Sequence, residues 1–274
     1  MTESISNVFS EITENLKRNK SFALATIIKT DASSPREVGA RMIVYPDKKI
    51  CGTIGGGPLE AKVISDAIGN INACKKQETI SYNLDMNEKP NLGMRCGGRV
   101  EILIETFLPT SRLVILGGGH VGERLAAVSR EIHFPFIVVD DREEFSRPER
   151  FPGAIKVVHC PLADVFKTVI VDDETYIVVV TRCHAQDEIC LRSAIKTNAR
   201  YIGMIGSRNK IKEVFDRLES KGIKVKDDKR VYAPIGLYFG DKTPEHIAMS
   251  VMSEILVIKT TGTLTHRRIF HQQT

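Results

Sequence analysis

The sequence predicts an α/β protein in two parts: an N-terminal α+β domain over residues 1–108, then a doubly wound parallel sheet over residues 109–274. Three observations predict it. After residue 109 the chain alternates short Val/Ile-rich runs with amphipathic stretches, the pattern of a parallel sheet covered by helices on both faces. Before that point apolar runs are joined by short polar turns, and residues 98–107 (GRVEILIETF) alternate apolar and polar side chains as a half-buried strand does. Residues 109–111 (PTS) interrupt the pattern between the two parts.

In the first part, residues 5–18 place Ile5, Val8, Phe9, Ile12 and Leu16 at helical spacing, which gives a helix one apolar face. SFALATIIKT reads as a strand, DASSPREVG as a polar turn, RMIVY as a strand, PDKK as a turn and ICGTI as a third strand. The last runs into Gly55-Gly56-Gly57-Pro58 and the helix LEAKVISDAIGNI, where Pro58 takes the first position and its missing N–H costs nothing. In the second part RLVILGGGH is a strand ending in glycines and VGERLAAVSREI a helix. PFIVVDD, AIKVVH and TYIVVVTR are further strands, QDEICLRSAIKTN a helix and ARYIGMIG a fifth strand. Ser207 caps the helix RNKIKEVFDRLESK and Gly222 ends it. Thr243-Pro244-Glu245 opens a final apolar helix, HIAMSVMSEILVI, and the tail THRRIFHQQT is expected to be loosely held.

Composition narrows the function classes. The 274 residues are 42% apolar and 27% charged, the balance of a folded globular chain rather than a disordered one. A net charge of +5 spread over both parts gives no concentrated basic face, and the chain has no Trp and only 6% aromatics, so nucleic acid is not an expected partner. No apolar run is long enough for a membrane span, and residues 1–20 show no apolar leader. The six cysteines contain no CxxC pair, so we expect a cytoplasmic protein with reduced thiols.

Gly117, Gly119 and Gly122 form GxGxxG between a strand and a helix, and Asp140 ends the next strand roughly 20 residues on, the spacing of a Rossmann dinucleotide fingerprint. The first glycine permits the tight turn, the second lets backbone approach a pyrophosphate, and the third allows close helix–strand packing. The helix N-terminus adds free N–H groups and positive potential. Asp140 is placed to bond ribose hydroxyls, favouring NAD over NADP, a preference that Arg142 weakens. His120, inside the loop, either touches phosphate or is an exposed side chain. Gly206-Ser207-Arg208 is a second strand–loop–helix anion site or an ordinary cap. His184, Gln186 and Asp187 are expected to line the crevice. His159-Cys160 and Cys183-His184 follow two strands of one sheet, but their spacing fits no metal signature and no metal site is assigned.

The N-terminal loop Gly55, Gly56, Gly57 costs backbone entropy, which is intelligible if backbone must come close to an anion such as a phosphate. Arg36 and Arg41, in the preceding segments, offer planar forks suited to that phosphate. Glu60 and Glu245 read as first-turn residues that favour their helix dipoles. Cys96, in Met94-Arg95-Cys96-Gly97-Gly98, is either a small turn residue or a thiol activated by its cationic neighbour.

SSPREVGARMIV, CGTIGGGPLE and MRCGG, followed by VILGGGHVG, VVDDR, TRCHAQDE, YIGMIGSRNK, APIG and TPEHIAMSVMSEI, resemble the xanthine dehydrogenase accessory factor family in order, over about residues 8–260. Cys183 stands where the family pattern TRGH has glycine, and Tyr238-Phe239 where it has an Asp-Ile pair. The resemblance implies a maturation chaperone rather than a catalyst. It would bind the molybdenum cofactor (molybdopterin), protect it while a cysteine desulfurase supplies the sulfido ligand, and deliver it to the apoenzyme of a xanthine dehydrogenase-type molybdenum hydroxylase. On that basis Gly55, Gly56, Gly57, Arg36 and Arg41 would hold the cofactor's phosphate, and Cys96 would act at the thiophilic metal. A homodimer is expected. The chain lacks the iron–sulfur cysteine sets of xanthine dehydrogenase itself. The alternative is an NAD(P)-dependent oxidoreductase built on Gly117, Gly119, Gly122 and Asp140, although no hydride-transfer acid/base pair is evident.

Overall fold

The computed structural model of the chain describes residues 2–31, 36–84, 98–240 and 242–263, with side chains from residue 7 onward. Met1–Pro109 and Thr110–Thr274 form separate compact units.

The first unit runs α1 (Thr2–Lys17), β1 (Phe22–Asp31), β2 (Arg41–Val44), β3 (Ile50–Gly52), α2 (Gly57–Asn72), β4 (Gln77–Asn83) and β5 (Arg99–Phe107). Its five strands lie in the order β3-β2-β1-β5-β4, all neighbours antiparallel. Side chains along β1 alternate between two cores, as the period of a strand dictates. Ala23, Ala25 and Ile27 pack with Leu59, Val63 and Ala67 of α2, while Phe22 and Leu24 pack with Val8 of α1 and Ile43. The apolar face of α1 is narrower than its spacing suggests. Val8 is buried and Ile12 partly so, but Phe9 lies beneath the Arg41 guanidinium and Leu16 is exposed. Strand β4 is additional to the strands expected from the sequence. Its composition, QETISYN, is mostly polar because it is an edge strand buried chiefly through Tyr82, whose hydroxyl donates to Asp66.

The second unit runs β6 (Arg112–Leu116), α3 (His120–Glu131), β7 (Phe136–Asp140), β8 (Lys156–His159), α4 (Val165–Thr168), β9 (Thr175–Val179), α5 (His184–Ala194), β10 (Tyr201–Met204), α6 (Arg208–Ser220), β11 (Val231–Tyr232) and α7 (Pro244–Thr260). The six strands are all parallel, in the order β11-β10-β9-β6-β7-β8. The chain enters mid-sheet at β6, fills one side, then crosses to β9, so the order reverses between β6 and β9. Helices α3 and α7 cover one face, where Leu125, Ala126, Val251 and Ile255 meet Leu113, Ile115 and Val138. Helices α4, α5 and α6 cover the other, where Val165, Leu191 and Val214 meet Val114, Leu116 and Val139. This explains the continuous apolar runs of the four inner strands: β6, β7, β9 and β10 are buried on both faces, and each Val, Leu or Ile so placed stabilises by about 1.5–3 kcal/mol. Every helix start in this unit lies after the carboxyl end of a strand. Among the described residues no helix is long and apolar enough to cross a membrane.

Candidate functional site

The carboxyl edge of the parallel sheet gathers the Rossmann fingerprint, and its three glycines have different reasons. Gly117 has φ 119°, and a Cβ there would lie 2.4 Å from the Val180 carbonyl oxygen. A Cβ on Gly122 would lie 1.9 Å from the Gly117 carbonyl oxygen. These two glycines are therefore demanded by the fold itself. Gly119 is not: nothing lies within 4 Å of its Cβ position, and it precedes α3 with no side-chain cap. Its bareness leaves the first N–H groups of α3 approachable, which is what a phosphate needs. His120, the first residue of α3, is exposed beside it.

Asp140 is 2% exposed and already fully bonded. Its Oδ2 accepts from the Gly118 N–H at 2.8 Å and Arg142 Nη2 at 2.9 Å, and its Oδ1 accepts from the Arg142 N–H at 3.0 Å and Nε at 2.9 Å. Burial alone would push this carboxyl up, but the Arg142 fork and the two amide donors outweigh it and hold the pKa below the usual value. The Arg142 guanidinium also lies 3.6 Å from the Phe145 ring centre, and a Cβ on Gly118 would fall 2.1 Å from the Phe145 carbonyl oxygen. The segment after β7 thus folds back on the glycine loop, and Arg142 takes both oxygens that the sequence reading assigned to a ribose.

Ser207 behaves as a cap, its Oγ accepting from the Lys210 N–H at 3.3 Å, with Arg208 exposed at the first position of α6. Lys210 is the group that sequence reasoning missed. Its Nζ lies 2.5 Å from Oδ2 of the fully buried Asp187, whose Oδ1 accepts from Thr181 Oγ1 at 2.6 Å. The fourth strand's end, α5 and α6 are tied together at the crevice by this triad. A lysine one turn into a helix after a Gly-Ser loop was the available signal, but on periodicity alone it reads as a solvated charge. Of the residues that depart from the family pattern, Cys183 sits at the N-cap of α5, and Tyr238 is 95% exposed. Among the described residues no group of three or more His, Cys, Asp or Glu side chains could hold a metal ion.

In the first unit, Gly55, Gly56 and Gly57 have φ of 125°, 76° and 67°, a run that only glycine adopts readily. Two of the three glycine amides expected to meet a phosphate, those of Gly55 and Gly56, have a partner in the chain. Glu60 Oε2 accepts from Thr53 Oγ1 at 2.7 Å, the Gly56 N–H at 3.2 Å and the Ile54 N–H at 3.3 Å, while Thr53 Oγ1 accepts from the Gly55 N–H at 3.1 Å. A first-turn glutamate reaches back into the loop because both the amides and the helix dipole favour its charge there. Arg41 opens β2, its Nη1 3.4 Å from the Gly39 carbonyl oxygen, and Arg36 is exposed. Cys96, with Ser33, Ser34, Pro35 and Arg95, lies outside the described residues. Glu60→Ala is expected to cost about 1–3 kcal/mol, since one change leaves a hydroxyl and two amides without their acceptor. Urea unfolding measures this, and an unchanged midpoint would mean that water serves the loop equally well.

The comparisons with known proteins follow the same two-unit layout. Residues 113–255 match the XdhC Rossmann domain and residues 16–83 the XdhC and CoxI family. The chain is 30% identical to the Escherichia coli K12 protein YqeB over 92% of its own length and 46% of the relative's. It is 28% identical to a Bacillus subtilis protein described as a probable subunit of xanthine dehydrogenase, over 57% of this chain and 45% of that one. The chain therefore spans about half the length of the curated relatives it matches. A Bacillus halodurans crystal structure described as a xanthine dehydrogenase shares the fold, with TM-score 0.50 and 19% identity over 91% of this chain and 95% of that one. The Rossmann match alone takes in more than half of the chain and contains the glycine loop, Asp140, Thr181, Asp187 and Lys210. The chain belongs to the XdhC family.

Proposed function

We propose that the chain is an accessory factor for a molybdenum hydroxylase of the xanthine dehydrogenase type. In this reading it binds the molybdenum cofactor, protects it during sulfuration by a cysteine desulfurase, and delivers it to the apoenzyme. It works in the cytoplasm as a homodimer and is a chaperone rather than a catalyst. The observation that carries the reading is the ordered match of both units to one family. The glycine loop of the first unit does not fit the cofactor's phosphate as it stands, because Glu60 fills it. Gly55, Gly56 and Gly57, with Arg36 and Arg41, would hold a phosphate only once the Glu60 carboxylate had withdrawn. Cys96 remains the thiol assigned to the metal.

The test is anaerobic mixing of the full chain with free cofactor, followed by gel filtration and metal and pterin analysis of the protein peak. Retained molybdenum and pterin in a fixed ratio is the expected result, and Cys96→Ser should lower it. A protein peak free of both would overturn the proposal. The second reading, an NAD(P)-dependent oxidoreductase, is favoured by the bare start of α3 at Gly119.

A further inference from the structure

Strand β4 is an open edge of the antiparallel sheet, and its register decides which groups are open. The Thr106 N–H donates to the Lys76 carbonyl oxygen at 2.8 Å, and the Leu84 N–H to the Gly98 carbonyl oxygen at 2.9 Å. Backbone groups alternate between the two sides of an antiparallel strand. Glu78, Ile80 and Tyr82 therefore bond β5, while Gln77, Thr79 and Ser81 point outward. Among the described residues the outward N–H and C=O groups of those three have no partner. The edge also lacks the usual protections. It runs seven residues in unbroken register, with no Lys, no Pro and no bulge. The other edges are short: β3 has three residues and lies against Val8 of α1, β8 has four and β11 two. A groove of about 630 Å³ lies between β4 and α2, with Ser65 and Gly69 on its helix wall. A Cβ on Gly69 would meet nothing within 4 Å, so the fold does not demand glycine there. We infer that β4 pairs with β4 of a second copy of this chain, joining the two antiparallel sheets into one across a twofold axis at Ile80.

The strand's own sequence selects that occupant over an unrelated extended segment. A twofold axis at a sheet edge makes the new pair antiparallel and the interface self-complementary. The register that uses all seven residues sets 77 against 83 and 79 against 81, the positions whose backbones point outward. QETISYN is close to palindromic about Ile80. Thr79 meets Ser81 as hydroxyl against hydroxyl, and Gln77 meets Asn83 as amide against amide. Ile80 meets its own copy on the axis, in a non-hydrogen-bonded pair where side chains come closest. Glu78, the only charge in β4, falls opposite Tyr82, so no like charges are brought together. The low helix wall at Ser65 and Gly69 leaves space for the incoming strand. A segment of another protein bound by strand addition would need none of this symmetry. The inference rests on the homodimer of the accessory-factor reading and names its interface.

Sedimentation of the full chain at micromolar concentration tests it, with hydrogen exchange over residues 77–83 and thermal melts to confirm folding. A dimer is expected, its β4 amides protected and exchanging freely once dilution separates the copies. Thr79→Pro removes an outward N–H and leaves the ladder to β5 intact. It should stay folded and weaken the dimer about tenfold or more, because both symmetry-related bonds are lost. Ile80→Cys is made in a Cys74→Ser background, which removes the exposed thiol just before the strand. Oxidation with copper phenanthroline should link it into a covalent dimer, while Gln77→Cys, far from its own copy, should stay unlinked. If Thr79→Pro does not fold, the cross-link decides. The inference is overturned by a monomer, whether or not its β4 amides are protected. It is equally overturned if folded Thr79→Pro dimerises as the wild type does, or if Ile80→Cys dimerises without cross-linking. A monomer would also remove the homodimer from the accessory-factor reading, whereas a dimer formed elsewhere removes only this interface. Neither outcome bears on cofactor retention.

Discussion

Replacing Lys210 by methionine is expected to lower the unfolding free energy by about 3–5 kcal/mol, the cost of stranding a buried charge. Asp187 is fully buried, while the Lys210 side chain is 17% exposed. Thr181 supplies one hydrogen bond to Oδ1, but Oδ2 has only the Lys210 ammonium beside it among the described residues. Methionine keeps the aliphatic stem that lies over Gly206 and removes only the charge. The carboxylate would then stay ionised in a low-dielectric site or take up a proton, and either route weakens the fold. Urea denaturation of wild type and variant at constant m-value measures the loss. The double variant Asp187→Asn with Lys210→Met should recover most of it, because the buried charge is then absent altogether. A loss below about 1 kcal/mol in the single variant would contradict a buried ion pair here and mark the site as wetter than it looks.

The sequence made much of this architecture legible, and the reason differs by element. The strands of the second unit were readable because a parallel strand buried on both faces is a short unbroken apolar run, as in Tyr176–Val179. Ser207 and Thr243 marked helix starts because an N-cap side chain is a local device, and both accept from the amide three residues on. Strand β4 was hidden because an edge strand needs little apolar surface, and β11 because two residues carry no period. The site was less legible than the fold. Spacing identified Gly117, Gly119, Gly122 and Asp140, but not that Arg142 would close on Asp140 or that Glu60 would fill the N-terminal loop. Those outcomes are competitions between an internal partner and a ligand for the same amides and oxygens. A single chain's pattern does not encode which competitor sits closer. Lys210 escaped for the related reason that its partner, Asp187, comes from another element.

Gly122→Ala and Gly119→Ala, two changes within one fingerprint, should part company. At Gly122 the new methyl would meet the Gly117 carbonyl oxygen 1.9 Å away, far inside van der Waals contact, and the obstacle is backbone, which cannot swing aside as a side chain can. Helix α3 must move off the sheet by more than an ångström, disturbing Leu125 and Ala126 in the core beneath it. A loss of about 2–4 kcal/mol is expected, at or above the upper end for overpacking because the obstacle is backbone. At Gly119 the backbone, with φ −72° and ψ −167°, is one alanine adopts, and the methyl would enter open space. Stability there should stay within about 0.5 kcal/mol of wild type. A ligand phosphate drawn against the start of α3 would nonetheless meet that methyl, so nucleotide affinity should fall while the melting curve does not. Thermal melts with AMP titrations on both variants separate the two roles. If Gly119→Ala binds nucleotide as well as wild type, no phosphate approaches α3, and Gly119 is then a glycine that neither the fold nor a ligand requires.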